Sequence, residues 1–127
     1  MKVIDASAFI DVLIGATRRD QLLPLLDDDL FAPDLLVPEV LGALRRLIAH
    51  GDIDAVEAEA AATAFRAAPV EYLPIWPYTE RVWQLRNNLS TYDACYVALA
   101  EDLNAPLVTT DLRLARSAAG MVAIITV

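Results

Sequence analysis

The sequence holds few of the residues on which several common functions depend. Its 127 residues include one cysteine, one histidine and ten basic side chains, against 18 acidic ones, which gives a net charge of −8. Cys95 therefore has no partner for an internal disulfide, which suits a reducing cytosol, and we expect a cytoplasmic protein. The acidic charge excludes a globally basic nucleic-acid binder, because phosphate binding depends on cationic groups that displace counterions. Contact with RNA or DNA would need a local arginine patch or a bound metal ion.

Long hydrophobic runs are also missing. Hydrophobic residues make up 57% of the chain, which excludes disorder, but the apolar runs are short and broken by charges. None approaches the roughly 20 residues that span a bilayer. The N-terminal segment "MKVIDASAF" lacks the long apolar stretch of a signal peptide. Since no repeat, low-complexity tract or linker divides the chain, we predict one domain over 1–127 without membrane contact.

Short apolar segments alternate with helical patterns along the chain. The predicted strands cover 2–5, 30–32, 70–75, 106–110 and 122–127. The predicted helices cover 6–14, 18–28, 39–50, 52–68, 78–88, 90–103 and 112–118, with Asp52 as the cap of the fourth. This alternation predicts an α/β fold, a three-layer sandwich whose mainly parallel central sheet is flanked by helices. In such sheets, ligands bind beyond the carboxyl ends of the strands.

Four acidic residues stand at the ends of these predicted elements. Asp5 and Asp111 follow strands, whereas Glu39 and Asp93 lie in the first turns of helices. Each one alone is explained as a helix cap or as a charge that favours the helix dipole. Together they fit that explanation less well, because the carboxyl ends of parallel strands share one edge of the sheet. If the two helices also open at that edge, four carboxylates converge in one cleft.

A cleft of this kind favours a divalent metal ion. Carboxylates so close together raise one another's pKa and repel, unless a cation lies between them. Hard oxygen ligands suit Mg²⁺ or Mn²⁺, which take one or two carboxylates directly and keep several waters. Such an ion can activate water, polarise a phosphoryl oxygen and let an acidic protein bind a polyanion. The hydroxyls of Ser7, Thr109 and Thr110 would orient carboxylates or metal-bound waters, although local backbone capping explains them equally well.

Other candidate groups are weaker. His50 stands beside Gly51 at a helix end, where we expect it to cap. Cys95 has no histidine partner in view and is interpreted as a buried, inert thiol. Trp76 and Trp83 are interpreted as core or dimer-surface residues rather than as platforms for bases.

Four segments carry a resemblance to a known family. "VIDASAFID", "PEVLGAL", "STYDACYVALAE" and "LVTTD" occur here in the order and spacing found in PIN-domain proteins, and the chain most resembles the VapC-like toxins of bacterial type II toxin–antitoxin modules. The resemblance covers essentially the whole chain. It implies a PIN-like fold and a Mg²⁺-dependent endoribonuclease whose acidic site is Asp5, Glu39, Asp93 and Asp111. Asp5 and Asp93 are then the leading candidates for direct metal ligands, and Asp111 and Glu39 complete the site directly or through water.

The same resemblance implies partners. VapC-like proteins usually form homodimers and are inhibited by a VapB-like antitoxin that inserts a segment into the active-site groove. They cut structured RNAs such as transfer or ribosomal RNA, leaving a 3′-hydroxyl and a 5′-phosphate, and they contact DNA only through the antitoxin. In this sequence Arg113 and Arg116 follow Asp111 closely enough to line the cleft as contacts for RNA or antitoxin. Arg18, Arg19, Arg45 and Arg46 are further candidates for phosphate.

Three rival interpretations stay open. A metal-dependent phosphohydrolase of the haloacid-dehalogenase type expects an aspartate two residues after the first one, where Ser7 stands here. A receiver-like switch would need a lysine beside the acids, but the sole lysine, Lys2, lies at the wrong end of its strand. The third is a non-catalytic PIN-like interaction module whose acids bind a partner's arginine. A missing acid would favour this module, and none of the four is missing.

Overall fold

The computed structural model describes residues 1–127. A five-stranded sheet lies at the centre of the protein. The strand order is β3–β2–β1–β4–β5, and every pairing is parallel. The strands are β1 Lys2–Ile4, β2 Leu30–Pro33, β3 Val70–Leu73, β4 Leu107–Val108 and β5 Ile124–Ile125. The chain order of the strands reverses direction across β1, so β1 and β4 are the neighbours at the switch point of the sheet, where ligands bind in open α/β folds.

Seven α-helices supply the crossovers that parallel strands require. They are α1 Ala6–Leu13, α2 Arg19–Leu22, α3 Leu36–Ala49, α4 Ala55–Ala67, α5 Thr79–Gln84, α6 Thr91–Leu103 and α7 Leu112–Ala118. Two 3₁₀ turns, Leu23–Leu26 and Trp76–Tyr78, complete the order. Helix α6 packs on β1, β2 and β4, whereas α1 packs on α3 and α4. The α/β sandwich with a parallel central sheet is therefore confirmed.

Helix α6 is the most deeply buried helix. Residues 94–100 are all buried, on every side of the helix rather than along one stripe. The side chains of β1 and β4 beneath it, Val3, Ile4, Leu107 and Val108, are fully buried as well. A helix enclosed in this way is held by packing. Its first turn, which carries Asp93, reaches the margin of the core at the carboxyl edge of the sheet.

Several predicted helix boundaries were wrong. Asp54, not Asp52, caps α4, because Asp54 and Glu57 form a capping box in which each side chain accepts the other's backbone N–H, at 2.7 and 3.3 Å. Helix α3 begins at Leu36, so Pro38 lies inside its first turn, where no backbone N–H is needed. The predicted helix 18–28 is divided into α2 and a 3₁₀ turn that contains Pro24.

The minor sequence interpretations had mixed outcomes. His50 is the C-cap residue of α3 and is followed by Gly51 in the left-handed region at φ 75°, as expected. Cys95 is buried, and burial raises the pKa of its thiol, in agreement with an inert role. Trp76 and Trp83 are exposed, so the core interpretation was wrong for both. None of the helices combines the length and apolar character that crossing a membrane requires.

Candidate active site

Asp5 and Asp111 lie at the same edge of the sheet. Asp5 directly follows β1, and its backbone N–H donates to the carbonyl of Val108 at 3.1 Å, which holds the ends of β1 and β4 side by side. Asp5 also caps α1 by accepting the backbone N–H of Ala8 at 3.0 Å. Asp111 caps α7 through the N–H groups of Arg113 and Leu114, at 2.9 and 3.2 Å. Both acids are therefore caps as well as members of the acidic edge.

Two hydroxyls hold the carboxylate of Asp5. Ser7 Oγ donates to Asp5 Oδ1 at 2.7 Å, and Thr109 Oγ1 donates to Asp5 Oδ2. Thr109 Oγ1 also accepts the backbone N–H of Asp111 at 3.0 Å, and Ser7 Oγ accepts that of Thr110 at 3.1 Å. Ser7 and Thr109 thus orient the carboxylate and fix the start of the loop to α7 at once. Thr110 contributes only backbone groups to this network.

Burial changes the protonation of Asp5. Loss of solvent raises the pKa of its carboxyl from 3.8 to about 6, although the hydrogen bonds from Ala8, Thr109 and Ser7 oppose the shift. The negative charge of Asp111 contributes to this raised pKa as well. An ionised Asp5 is therefore costly in the protein alone, and a nearby cation would favour its charged form.

Asp5→Asn is expected to stabilise the metal-free protein at neutral pH. The raised pKa means that the folded protein binds a proton on Asp5 more tightly than the unfolded chain does. Protonation of Asp5 therefore stabilises the fold fully below about pH 4, and this stabilisation is lost as the pH rises through about 6. Asparagine is neutral at every pH, so the free energy of unfolding of Asp5→Asn should rise relative to that of wild type by about 1–3 kcal/mol between these pH values. Urea unfolding in EDTA across this range measures the difference. A difference that stays constant with pH would contradict the assignment.

The carboxylate of Asp93 binds the side chain of Arg113 instead of capping its own helix. Ser90 Oγ accepts the backbone N–H of Asp93 at 3.2 Å and so caps α6. The reciprocal half of the capping box is absent, because the Asp93 side chain makes no bond back to Ser90. Its Oδ2 accepts from Arg113 Nη2 at 3.0 Å, and the same nitrogen lies 3.4 Å from Asp111 Oδ2. Arg113 was expected to line the cleft, and the structure places it between two of the acids.

Glu39 is held by a buried tyrosine of α6. The buried Tyr96 donates its hydroxyl to Glu39 Oε1 at 2.7 Å. Burial raises the pKa of Glu39, and the negative charge of Asp93 raises it as well. The hydrogen bond from Tyr96 and the positive charge of Arg46 lower it. A buried tyrosine hydroxyl needs a partner. That requirement, with Tyr96 one turn after Asp93, was the signal available in the sequence.

An open groove adjoins these acids. A cavity of about 620 Å³ is lined by Ser7, Glu39, Arg46 and Tyr92, together with Asp11 and apolar side chains. Tyr92 is exposed and directly precedes Asp93, and it was not among the site residues expected from the sequence. Arg46 was one of four arginines considered as further contacts for phosphate. Arg116, by contrast, is exposed and makes no ion pair, so the structure gives it no place in the groove.

The acids form linked pairs instead of one shared cage. No group of three or more aspartate, glutamate, histidine or cysteine side chains is arranged to hold one metal ion. Asp93 and Asp111 nevertheless both reach a single cationic nitrogen. Mg²⁺ usually binds one or two carboxylates directly and keeps several waters, so this pair fits its needs. Asp5 and Glu39 are coupled to the pair through the charges of Asp111 and Asp93, respectively.

The structure thus combines a parallel sheet of the order β3–β2–β1–β4–β5 with acids at the ends of β1 and β4 and in the first turns of α3 and α6. The family model described as "PIN domain" matches residues 2–120, and the chain belongs to the PIN-domain family. Its curated relatives place it among the VapC-like members. "VapC ribonuclease Mb0985" of Mycobacterium bovis is 41% identical over 114 residues, covering 90% of this chain and 88% of that protein.

Two further comparisons agree. "Ribonuclease VapC1" of Mycobacterium tuberculosis is 42% identical over 116 residues, covering 89% of this chain and 87% of that protein. A chain of a toxin–antitoxin complex from Klebsiella pneumoniae matches with a TM-score of 0.74 at 19% identity, over 99% of this chain and 97% of that one. At that identity the structural likeness shows the fold alone.

Proposed function

We propose that the protein is a divalent-metal-dependent endoribonuclease, the toxin of a VapBC-type toxin–antitoxin module. One observation carries the proposal. The carboxylates of Asp93 and Asp111 both contact the guanidinium of Arg113, at the sheet edge where the buried Asp5 follows β1. The ribonuclease names of the curated relatives support the reaction class. Cleavage would leave a 3′-hydroxyl and a 5′-phosphate, and transfer or ribosomal RNA is the proposed substrate.

The proposed chemistry assigns a role to each acid. Asp93 and Asp111 would hold Mg²⁺, or Mn²⁺ in its place, and Asp5 would contact a water bound to the ion. When bound, the ion supplies an activated water and stabilises negative charge on the phosphate. Ser7 and Thr109 keep both oxygens of Asp5 oriented, so this carboxylate needs no rearrangement.

Glu39 is the proposed general base. Its Oε1 accepts the hydroxyl of Tyr96, whereas Oε2 has no partner within the protein and belongs to a side chain that lines the groove. The raised pKa of Glu39 brings its proton affinity closer to neutral pH, which favours proton transfer from water. Tyr96 would position the carboxylate without contacting the RNA, because it is buried.

The groove suits an unpaired stretch of RNA. Sequence-specific RNA recognition commonly stacks splayed bases on exposed aromatic rings and binds phosphates with cations. Tyr92 offers such a ring next to Asp93, and Arg46 offers the charge beside Glu39. The remaining partners are a second copy of the chain and a VapB-like antitoxin, with the cytoplasm as the proposed location.

Metal removal tests the proposed reaction. Purified protein incubated with total RNA is expected to cleave in Mg²⁺, to stop in EDTA and to recover when excess Mn²⁺ is restored, because the ion supplies the nucleophile and the charge. Gel analysis and end-group mapping of the products measure this. Equal cleavage in all three samples would contradict the proposal. A non-catalytic interaction module would leave the RNA uncut in every sample.

A further inference from the structure

One guanidinium nitrogen serves two carboxylates of the acidic site. Arg113 Nη2 lies 3.0 Å from Asp93 Oδ2 and 3.4 Å from Asp111 Oδ2. Arg113 stands two residues after Asp111 at the start of α7, and its backbone N–H donates to Asp111 Oδ1 at 2.9 Å. The side chain therefore turns back from the helix over the acidic edge instead of extending into solvent.

The three partners are unequally buried. The side chains of Asp93 and Asp111 are 16% and 33% exposed, whereas that of Arg113 is 63% exposed. These two ion pairs are the only hydrogen bonds of the guanidinium, and no other cationic side chain lies within ion-pair distance of either carboxylate. The Asp111 carboxylate is held as the cap of α7 and the Asp93 side chain is mostly buried, whereas the exposed arginine can leave by rotating its own side chain.

We infer that Arg113 is the internal counter-ion of the Asp93–Asp111 pair and that the divalent ion takes its place; this inference rests on the proposed function. In the metal-free protein Arg113 holds the two like charges together at low cost. A divalent ion carries more charge than a guanidinium and binds two carboxylates at shorter range, so it displaces the arginine. Metal binding is then an exchange, and Arg113 lowers the apparent affinity of the site for metal while keeping its ligands in position.

The closest test compares metal binding by arginine variants of α7. Isothermal titration with Mn²⁺ is performed on wild type, Arg113→Gln, Arg113→Lys and Arg116→Gln at one pH and ionic strength. Arg116 is the matched control, because it lies on the same short helix and makes no ion pair. Arg113→Gln is expected to bind Mn²⁺ about fivefold more tightly than wild type, the effect of removing one largely exposed competing guanidinium. Arg113→Lys and Arg116→Gln should stay close to wild type.

Thermal unfolding supplies a second readout. Without metal, Arg113→Gln is expected to melt below wild type, because the two carboxylates then repel without a counter-ion. Saturating Mn²⁺ should remove that difference, whereas a merely structural arginine would leave it in place. Equal or weaker Mn²⁺ binding by Arg113→Gln would overturn the inference while leaving the proposed function intact. If neither wild type nor Arg113→Gln binds Mn²⁺, the metal-dependent function fails, and the inference fails with it.

Discussion

Asp93→Asn is expected to lower the rate of RNA cleavage by about two to four orders of magnitude, while the fold stays nearly as stable as wild type. The rate falls because a bound metal ion contributes several kcal/mol to such reactions, and each 1.36 kcal/mol is a factor of ten. Stability changes little because Ser90, not the Asp93 carboxylate, caps α6. The lost ion pair with the exposed Arg113 is worth about 1 kcal/mol or less.

Asp102→Asn is the matched control for this prediction. Asp102 lies on the same helix, at the far end from Asp93, and accepts a hydrogen bond from the hydroxyl of Tyr78 at 2.7 Å that an asparagine oxygen can also accept. Single-turnover cleavage and urea unfolding of both variants separate activity from stability. A large loss of stability with activity retained would make Asp93 a structural residue and contradict its role in the site.

Leu99→Ala is expected to have the opposite effect, with a free energy of unfolding lower by about 2–5 kcal/mol. Leu99 is fully buried in α6, which packs on three strands of the sheet, and alanine would leave a cavity there. Domains of ordinary stability have only about 5–15 kcal/mol to lose, so the change would be severe. Where the variant is still folded, cleavage should persist, because every acid of the site is intact.

Leu41→Ala gives the comparison for the core. Leu41 is about half exposed on α3, and its truncation should cost well under 2 kcal/mol. Urea unfolding with a shared slope measures both variants. Equal destabilisation by the two substitutions would contradict the claim that the buried core packing of α6 holds the helix that carries Asp93.

The sheet edge could be predicted because it depends on short-range patterns. Asp5 and Asp111 each follow an apolar strand, and parallel strands must end at the same edge. The structure confirms this placement in the register of Ile4 with Val108. The cap of α4 was also accessible from the sequence, because Asp54 stands three residues before Glu57, the spacing of a capping box, and Asp52 does not.

The side-chain partnerships within the site could not be predicted from spacing. Tyr96 lies on the same side of α6 as Asp93, but its bond to Glu39 joins two helices far apart in sequence. Arg113 could equally extend into solvent, and its contact with Asp93 depends on how α7 meets α6 in three dimensions. The burial of α6 on all sides likewise depends on how the helix packs against the sheet, not on spacing along the helix.

The central claim is that the acids at this sheet edge hold a divalent metal ion. Anomalous scattering from crystals soaked in Mn²⁺ tests it most directly. We predict one strong peak at bonding distance from Asp93 and from at least one of Asp5 and Asp111, with the guanidinium of Arg113 turned away. Mn²⁺ bound only elsewhere on the protein, with Arg113 still joining Asp93 to Asp111, would contradict the claim.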